Sequence, residues 1–190
     1  GMGAVMGSKQ LKAIAVRGKT PVKIADQKGL TAIAKWVSST MDQNHRAFHE
    51  FGTGAAMQGK NLEGGMPTLN YRLGAFDQVA KVDAIAVRDQ VRVHMDACFA
   101  CSVRCKKVVH IEKKEEAARE ASESRYKGKV RVAFDPLNRY SVDPKYGGPE
   151  YESLASLGVN LGLEDLIAIC KSNEMCNYLG LDTVSLGATL

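Results

Sequence analysis

No apolar run in this 190-residue chain approaches the roughly 20 residues that a helix needs to cross a bilayer, so no helical membrane span is read. The opening residues, Gly1-Met2-Gly3-Ala4-Val5-Met6-Gly7, carry neither a basic stretch nor a long apolar segment, and so do not read as a signal peptide. Aromatics are scarce at 6%, and the net charge of +5 arises from acids and bases that are well mixed. A basic, aromatic-studded nucleic-acid face is therefore not indicated. The five cysteines are odd in number and unevenly spaced, which argues against a secreted disulfide scaffold and for a reducing cytoplasm. The dinucleotide fingerprint GxGxxG after a strand is absent, because the early glycines follow no strand. His45 and His49 stand four apart beside Glu50, in neither of the zinc-protease arrangements, and read as exposed helix residues.

What the chain does have is Cys98-Phe99-Ala100-Cys101-Ser102-Val103-Arg104-Cys105. Three thiols within one short segment suit a metal or an iron–sulfur cluster better than a disulfide, because short loops let several thiolates converge. Two residues separate the first pair and three the second, the reverse of the radical-SAM order. Spacing leaves three readings open: a [4Fe–4S] cluster, a zinc site completed by His94 or His110, and unliganded thiols.

Composition is that of a soluble globular protein, with 45% hydrophobic and 25% charged residues. Residues 11–16 alternate with β-branched side chains and end at Arg17-Gly18, so they read as a short strand. Ile33, Trp36, Val37 and Met41 recur at helical spacing, predicting a helix over residues 31–49. Five glycines between residues 52 and 65 predict a long loop that closes near Asn70. A second helix is predicted over residues 83–95, with Ile85, Val87, Val91 and His94 on one side, and a strand over 108–111. Residues 112–131 are charge-rich and read as a solvated helix or insertion, with Glu115 and Arg119 spaced to pair. The clearest helix covers residues 164–179: Glu164 and Asp165 favour its positive end, and Leu166, Ile169, Cys170 and Cys176 share a face. Gly180 is placed to end it, and Asp182 to cap a further helix holding Leu186 and Leu190.

Two further stretches carry candidate chemistry. In Tyr146-Gly147-Gly148-Pro149-Glu150-Tyr151-Glu152, glycines and a proline fix an unusual backbone and two carboxylates flank a tyrosine. A carboxylate so held can act as general acid or base, although a turn leading into an acidic first helical turn explains the same residues. In Asn177-Tyr178-Leu179-Gly180-Leu181-Asp182, amide and carboxylate groups flank a glycine turn. That turn suits a heterocycle, or simply a helix stop followed by an N-cap. Cys170 and Cys176 read as buried thiols.

Taken in order, these blocks resemble the tungsten-containing aldehyde ferredoxin oxidoreductase family. The resemblance runs from Gly1–Lys9 and Ala15-Val16, through Cys98-x-x-Cys101-x-x-x-Cys105 and the Glu150-Tyr151-Glu152 turn, to Gly180-Leu181-Asp182. It implies an α+β, mostly helical fold: residues 1–18 would end an N-terminal β domain, and residues 19–190 would form an incomplete helical middle domain with long loops. It implies Cys98, Cys101 and Cys105 as three ligands of a [4Fe–4S] cluster, with a fourth outside this chain. It implies Glu152, beside Tyr151, as the acid–base group. Asn177, Gly180, Leu181 and Asp182 would lie against a tungsten bis-pterin accompanied by magnesium. The implied reaction oxidises a small aldehyde to a carboxylic acid with ferredoxin as acceptor. Further implied partners are the remaining portion of the same enzyme and a homo-oligomeric or electron-transfer subunit. The three motif turns should share one side of the fold.

Asn177 stands where some members have Asp, and Lys106-Lys107 where some have Gly-Arg. These departures leave open a related branch, the tungsten subunit of benzoyl-CoA reductase. A non-catalytic iron–sulfur or zinc module is the reading from a different class. The crowded early glycines and a last helix that meets the chain end read as a fragment, expected to be inactive alone.

Overall fold

The structure is a computed structural model that describes residues 2–113 and 133–190. It is α+β and mostly helical, as the resemblance implies. Residues 114–131 of the charge-rich stretch, with the expected Glu115–Arg119 pair, lie outside the described residues.

Helix α1 (Met2–Ser8) is followed by residues 11–16, which form no strand and are exposed. Among the described residues no partner strand matches that alternation, and an unpaired strand leaves its backbone groups to water. The predicted helix over 31–49 is three pieces: α2 (Gln27–Ser39), α3 (Met41–Asn44) and α4 (Arg46–Phe51). Asp26 caps α2 by accepting from the Gly29 N–H, and breaks fall at Thr40 and His45. The Thr40 hydroxyl donates to the Trp36 carbonyl at 2.8 Å, competing with the helical ladder where α2 stops. The glycine-rich stretch is not a plain loop: Gly52–Ala56 is a 3₁₀ turn and α5 spans Met57–Leu62.

The second predicted helix survives for only two turns. Asp83 caps α6 (Ala84–Ala86), which runs into a π-turn at Val87–Val91, and the chain then extends as strand β1 (Arg92–Asp96). Strand β2 (Lys106–Val109) pairs antiparallel with β1, with Asp96 opposite Lys106 and a bulge between Arg92 and His94. His94, expected on an apolar helix side, lies exposed on β1. Strand β3 (Ile111–Glu112) pairs parallel with β4 (Ala133–Phe134).

After a 3₁₀ turn at Pro144–Tyr146 come α7 (Tyr151–Leu157), α8 (Leu166–Leu179) and α9 (Thr183–Thr189). Gly180 and Asp182 act as the sequence predicts, whereas α8 starts two residues later than expected, with Asp165 as its N-cap. Asp165 accepts from the N–H groups of Ile167 and Ala168, Gly180 is left-handed at φ 71, and Asp182 accepts from Ser185. Leu166, Ile169, Cys170 and Cys176 are buried along one face of α8. They join Leu154 and Leu157 of α7, Val109 and Ile111 of the strands, and Met57 and Met66 in one core. Fully burying a side chain such as Leu154 or Ile169 contributes about 1.5–3 kcal/mol, so α7 and α8 hold the segment between them in place.

Candidate functional site

The β1–β2 hairpin presents residues 97–105 as its connecting loop. Ala100 and Arg104 take left-handed φ values of 55 and 53, so the backbone reverses immediately before Cys101 and again before Cys105. The Cys101 N–H donates to the Cys98 carbonyl at 3.1 Å. Arg104 and Lys106 donate back to the Met95 and Ala97 carbonyls, and His49 Nδ1 lies 2.6 Å from the Val103 carbonyl oxygen. Cys98 is exposed, while Cys101 and Cys105 are half-buried. Burial pushes the Cys105 thiol up, and the charges of Glu150, Cys101 and Cys98 push it the same way.

Among the described residues, no three His, Cys, Asp or Glu side chains close around a single metal ion. Of the two histidines that could complete a zinc site, His94 sits in register with Val108 and His110 faces Glu112 at 3.5 Å. In a [4Fe–4S] cluster each thiolate binds a different iron, so its sulfurs need not crowd one point. Three soft sulfur donors on one pinned loop fit that group chemically.

Lys107 follows Cys105 by two residues and turns inward; its side chain is 1% exposed. Its Nζ donates to Glu150 Oε2 at 2.8 Å and to the Phe51 carbonyl at 3.4 Å. The same carboxylate oxygen accepts from Thr53 Oγ1 at 2.5 Å, and Thr53 Oγ1 in turn accepts from the Tyr151 N–H at 2.9 Å. Gly52, at φ 61, makes this closeness achievable. A Cβ there would stand 2.6 Å from the Cys105 carbonyl oxygen and 3.1 Å from Glu150 Oε2, and would meet Lys107 Nζ as well. In sequence Lys107 shows only as a departure from the family pattern, and nothing there ties it, Thr53 or Gly52 to Glu150. Their pairing spans long separations and leaves no periodic trace.

Glu150 is the N-cap of α7, and Tyr151 and Glu152 open that helix. Glu150 is turned toward the cysteine loop, whereas Glu152 is exposed and borders a cavity of about 200 Å³. Tyr71, Tyr151, Pro67, Val184 and Ala188 form other walls. Burial, then the charge of Glu152 and the nearby Tyr71, push the Tyr151 phenol up, so Tyr151 stays protonated and can donate. One wall is unusual: Leu69, Asn70 and Tyr71 are consecutive left-handed residues at φ 51, 56 and 61. Their turn is pinned by Leu69 N–H to Val159 and Asn70 N–H to Asn160.

The third turn touches the second. Asn177 Nδ2 donates to the Tyr146 carbonyl at 3.0 Å, and the Tyr146 and Tyr178 rings meet edge to face at 6.1 Å. Leu181 is exposed and its N–H donates to the Cys176 carbonyl. Hydrogen bonds from Ser185 hold the Asp182 carboxyl below the usual carboxylate range. Helix α1 abuts this turn, since a Cβ on Gly3 would lie 2.5 Å from the Gly180 carbonyl oxygen. The Cys98, Glu152 and Gly180 turns are thus joined in a chain of contacts through Lys107–Glu150 and Tyr146–Asn177.

Comparison with known proteins first defines an enzyme class: the relatives are oxidoreductases. The family pattern described as "Aldehyde ferredoxin oxidoreductase, domains 2 & 3" matches residues 29–190, and the chain belongs to that family. It is 32% identical over 193 residues to a tungsten-containing aldehyde ferredoxin oxidoreductase of Pyrococcus furiosus, covering 100% of this chain and 27% of that protein. The protein of the same description from Thermococcus kodakarensis is 31% identical with the same coverage. A more distant relative, at 23% identity over 192 residues, is described as "Aliphatic sulfonate oxidoreductase, WOR-like subunit", also from Pyrococcus furiosus; again the match covers 100% of this chain and 27% of that protein. The chain spans about 27% of the length of the relatives it matches.

Proposed function

We propose that this chain contributes the cluster loop and the acid–base turn of an enzyme that oxidises small aldehydes to carboxylic acids and passes the electrons to ferredoxin. The observation that carries the reading is the division of labour in one turn: Glu150 is bonded to the cysteine side, and Glu152 borders the adjacent cavity. On this reading Cys98, Cys101 and Cys105 hold a [4Fe–4S] cluster. Asn177, Gly180, Leu181 and Asp182 flank a tungsten bis-pterin with magnesium. These groups, when bound, supply the two-electron redox chemistry.

The chain's own residues handle protons and position. Conversion of an aldehyde to an acid consumes one water and releases two protons with the two electrons. Glu152, open to the cavity, accepts a proton from the attacking water. Tyr151, held protonated, donates to the carbonyl oxygen. Pro67, Val184 and Ala188 give the cavity an apolar side against which a small substrate can rest. Residues 1–18 belong, on the same reading, to the end of a preceding domain, and the rest of the enzyme supplies the remaining ligands.

The holoenzyme prepared anaerobically with tungstate tests this by metal analysis and aldehyde-dependent viologen reduction. Glu152→Gln should lower kcat by roughly 10²–10⁴-fold, the usual span for a positioned acid–base group. Undiminished turnover in that variant, or a wild-type protein without iron and tungsten, overturns the proposal.

A further inference from the structure

Lys107 is a buried cation two residues from a cluster cysteine, and its anionic partner comes from the acid turn 43 positions along the chain. We propose that the Lys107–Glu150 pair sets the reduction potential of the cluster carried by the 98–105 loop, by holding the net charge next to it near zero. This rests on the cluster assignment made above.

Several observations carry it. The Lys107 ammonium is sealed from water, so its field is not screened as a surface lysine's would be. It has one carboxylate partner at 2.8 Å and one carbonyl at 3.4 Å, which fixes the position of the charge. The Lys107 backbone N–H also points at Glu150 Oε1 at 3.5 Å, tying the carboxylate to the strand that leaves Cys105. Glu150 Oε2 and the Cys105 carbonyl oxygen border the same small space over Gly52, at 3.1 and 2.6 Å from the position of its missing Cβ. The fit is built in: Gly52 has no side chain where one would strike Lys107 Nζ, Glu150 Oε2 and the Cys105 carbonyl together. Cluster potentials respond to net charge, hydrogen bonds and solvent exposure, so a fixed charge pair beside the thiolates acts on them directly.

The two charges then have opposite effects. Removing the cation leaves a carboxylate facing the cluster and makes its reduction harder. Removing the anion leaves an ammonium and makes reduction easier. Removing both restores balance. A merely structural role predicts something else: both single changes loosen the loop in the same way.

The test is an EPR-monitored redox titration of the anaerobic holoenzyme and of Lys107→Gln, Glu150→Gln, the double variant and Lys107→Arg. Expected are a lower potential for Lys107→Gln, a higher one for Glu150→Gln, and near-parental values for the double and Lys107→Arg variants. Single shifts of the same sign, no shift, or a displaced potential in either charge-balanced variant overturns the proposal. Should the single variants lose iron, the double and Lys107→Arg variants still decide, because each keeps the net charge and must keep the potential. An iron-free wild-type protein would instead refute the cluster assignment itself, which separates the two failures.

Discussion

Replacing Gly187 by alanine sets two effects against each other, and the structure decides between them. Gly187 lies inside α9, where alanine is favoured over glycine by about 1 kcal/mol in helix propensity. It is also buried against α7: a Cβ would stand 2.3 Å from the Ser156 carbonyl oxygen and 2.5 Å from its carbon, both backbone atoms that no rotamer change moves. Forcing the helices apart costs about 1–3 kcal/mol, the range for overpacking. The shift also strains the 3.0 Å bond from Asn160 Nδ2 to the Gly187 carbonyl, for about 1 kcal/mol more. The net is a destabilisation of about 1–3 kcal/mol. Native-state hydrogen exchange at the Leu186 and Leu190 amides, which donate within α9, reads it as a rise of roughly 5- to 150-fold. Gly59→Ala is the matched control, because Gly59 lies in α5 with nothing within 4 Å of its missing Cβ. There propensity acts alone and about 0.5–1 kcal/mol of stabilisation is expected. Slower or unchanged exchange of the α9 amides in Gly187→Ala would refute the packing argument.

Other outcomes follow from single features. Asp165→Ala should cost about 1–2 kcal/mol at the start of α8, since Asp165 accepts from Ile167 and Ala168; the urea midpoint reports it. Burial pushes the Asp135 carboxyl up, but the N–H groups of Leu137, Tyr140 and Arg139 outweigh that, and its folded pKa lies below the ordinary 3.8. Its contribution is therefore complete above about pH 4 and is lost as pH falls through the lower folded value, so Asp135→Asn should flatten the acid limb of a pH–stability curve. Burial pushes the Cys170 thiol up to about 12, so iodoacetamide should label exposed Cys98 of the metal-free protein while leaving Cys170 unmodified until unfolding, as read by peptide mass spectrometry.

What the sequence made legible was short-range. Asp165, Gly180 and Asp182 act within a few residues of themselves: Gly180 and Asp182 occupy the predicted stop and cap, and Asp165, expected in the first turn, is the cap itself. Cysteine spacing and the buried face of α8 are likewise local patterns. Residues 83–95 failed as one helix because pairing between β1 and β2 takes the chain out of the helix at Arg92, and that partner lies beyond the loop. Residues 11–16 form no strand for the opposite reason: alternation is present, and among the described residues no partner pairs with it. The cluster ligands and Glu152 came from motif resemblance. Lys107 and Thr53, which bind Glu150 from 43 and 97 positions away, belong to no motif, and only the folded chain brings them together.

The turn at residues 69–71 runs with the opposite hand to every helix around it. Left-handed backbone costs an L-residue about 1–2 kcal/mol, and the carbonyls of Val159 and Asn160 offset part of that by accepting from the Leu69 and Asn70 N–H groups. In a mirror this segment would be ordinary. A chemically synthesised chain carrying D-asparagine at position 70 should therefore accept the inverted centre where almost any other site would reject it. A boundary of reversed chirality is also one that neither helix nor sheet can grow across, so regular structure has to stop and restart at the rim of the cavity.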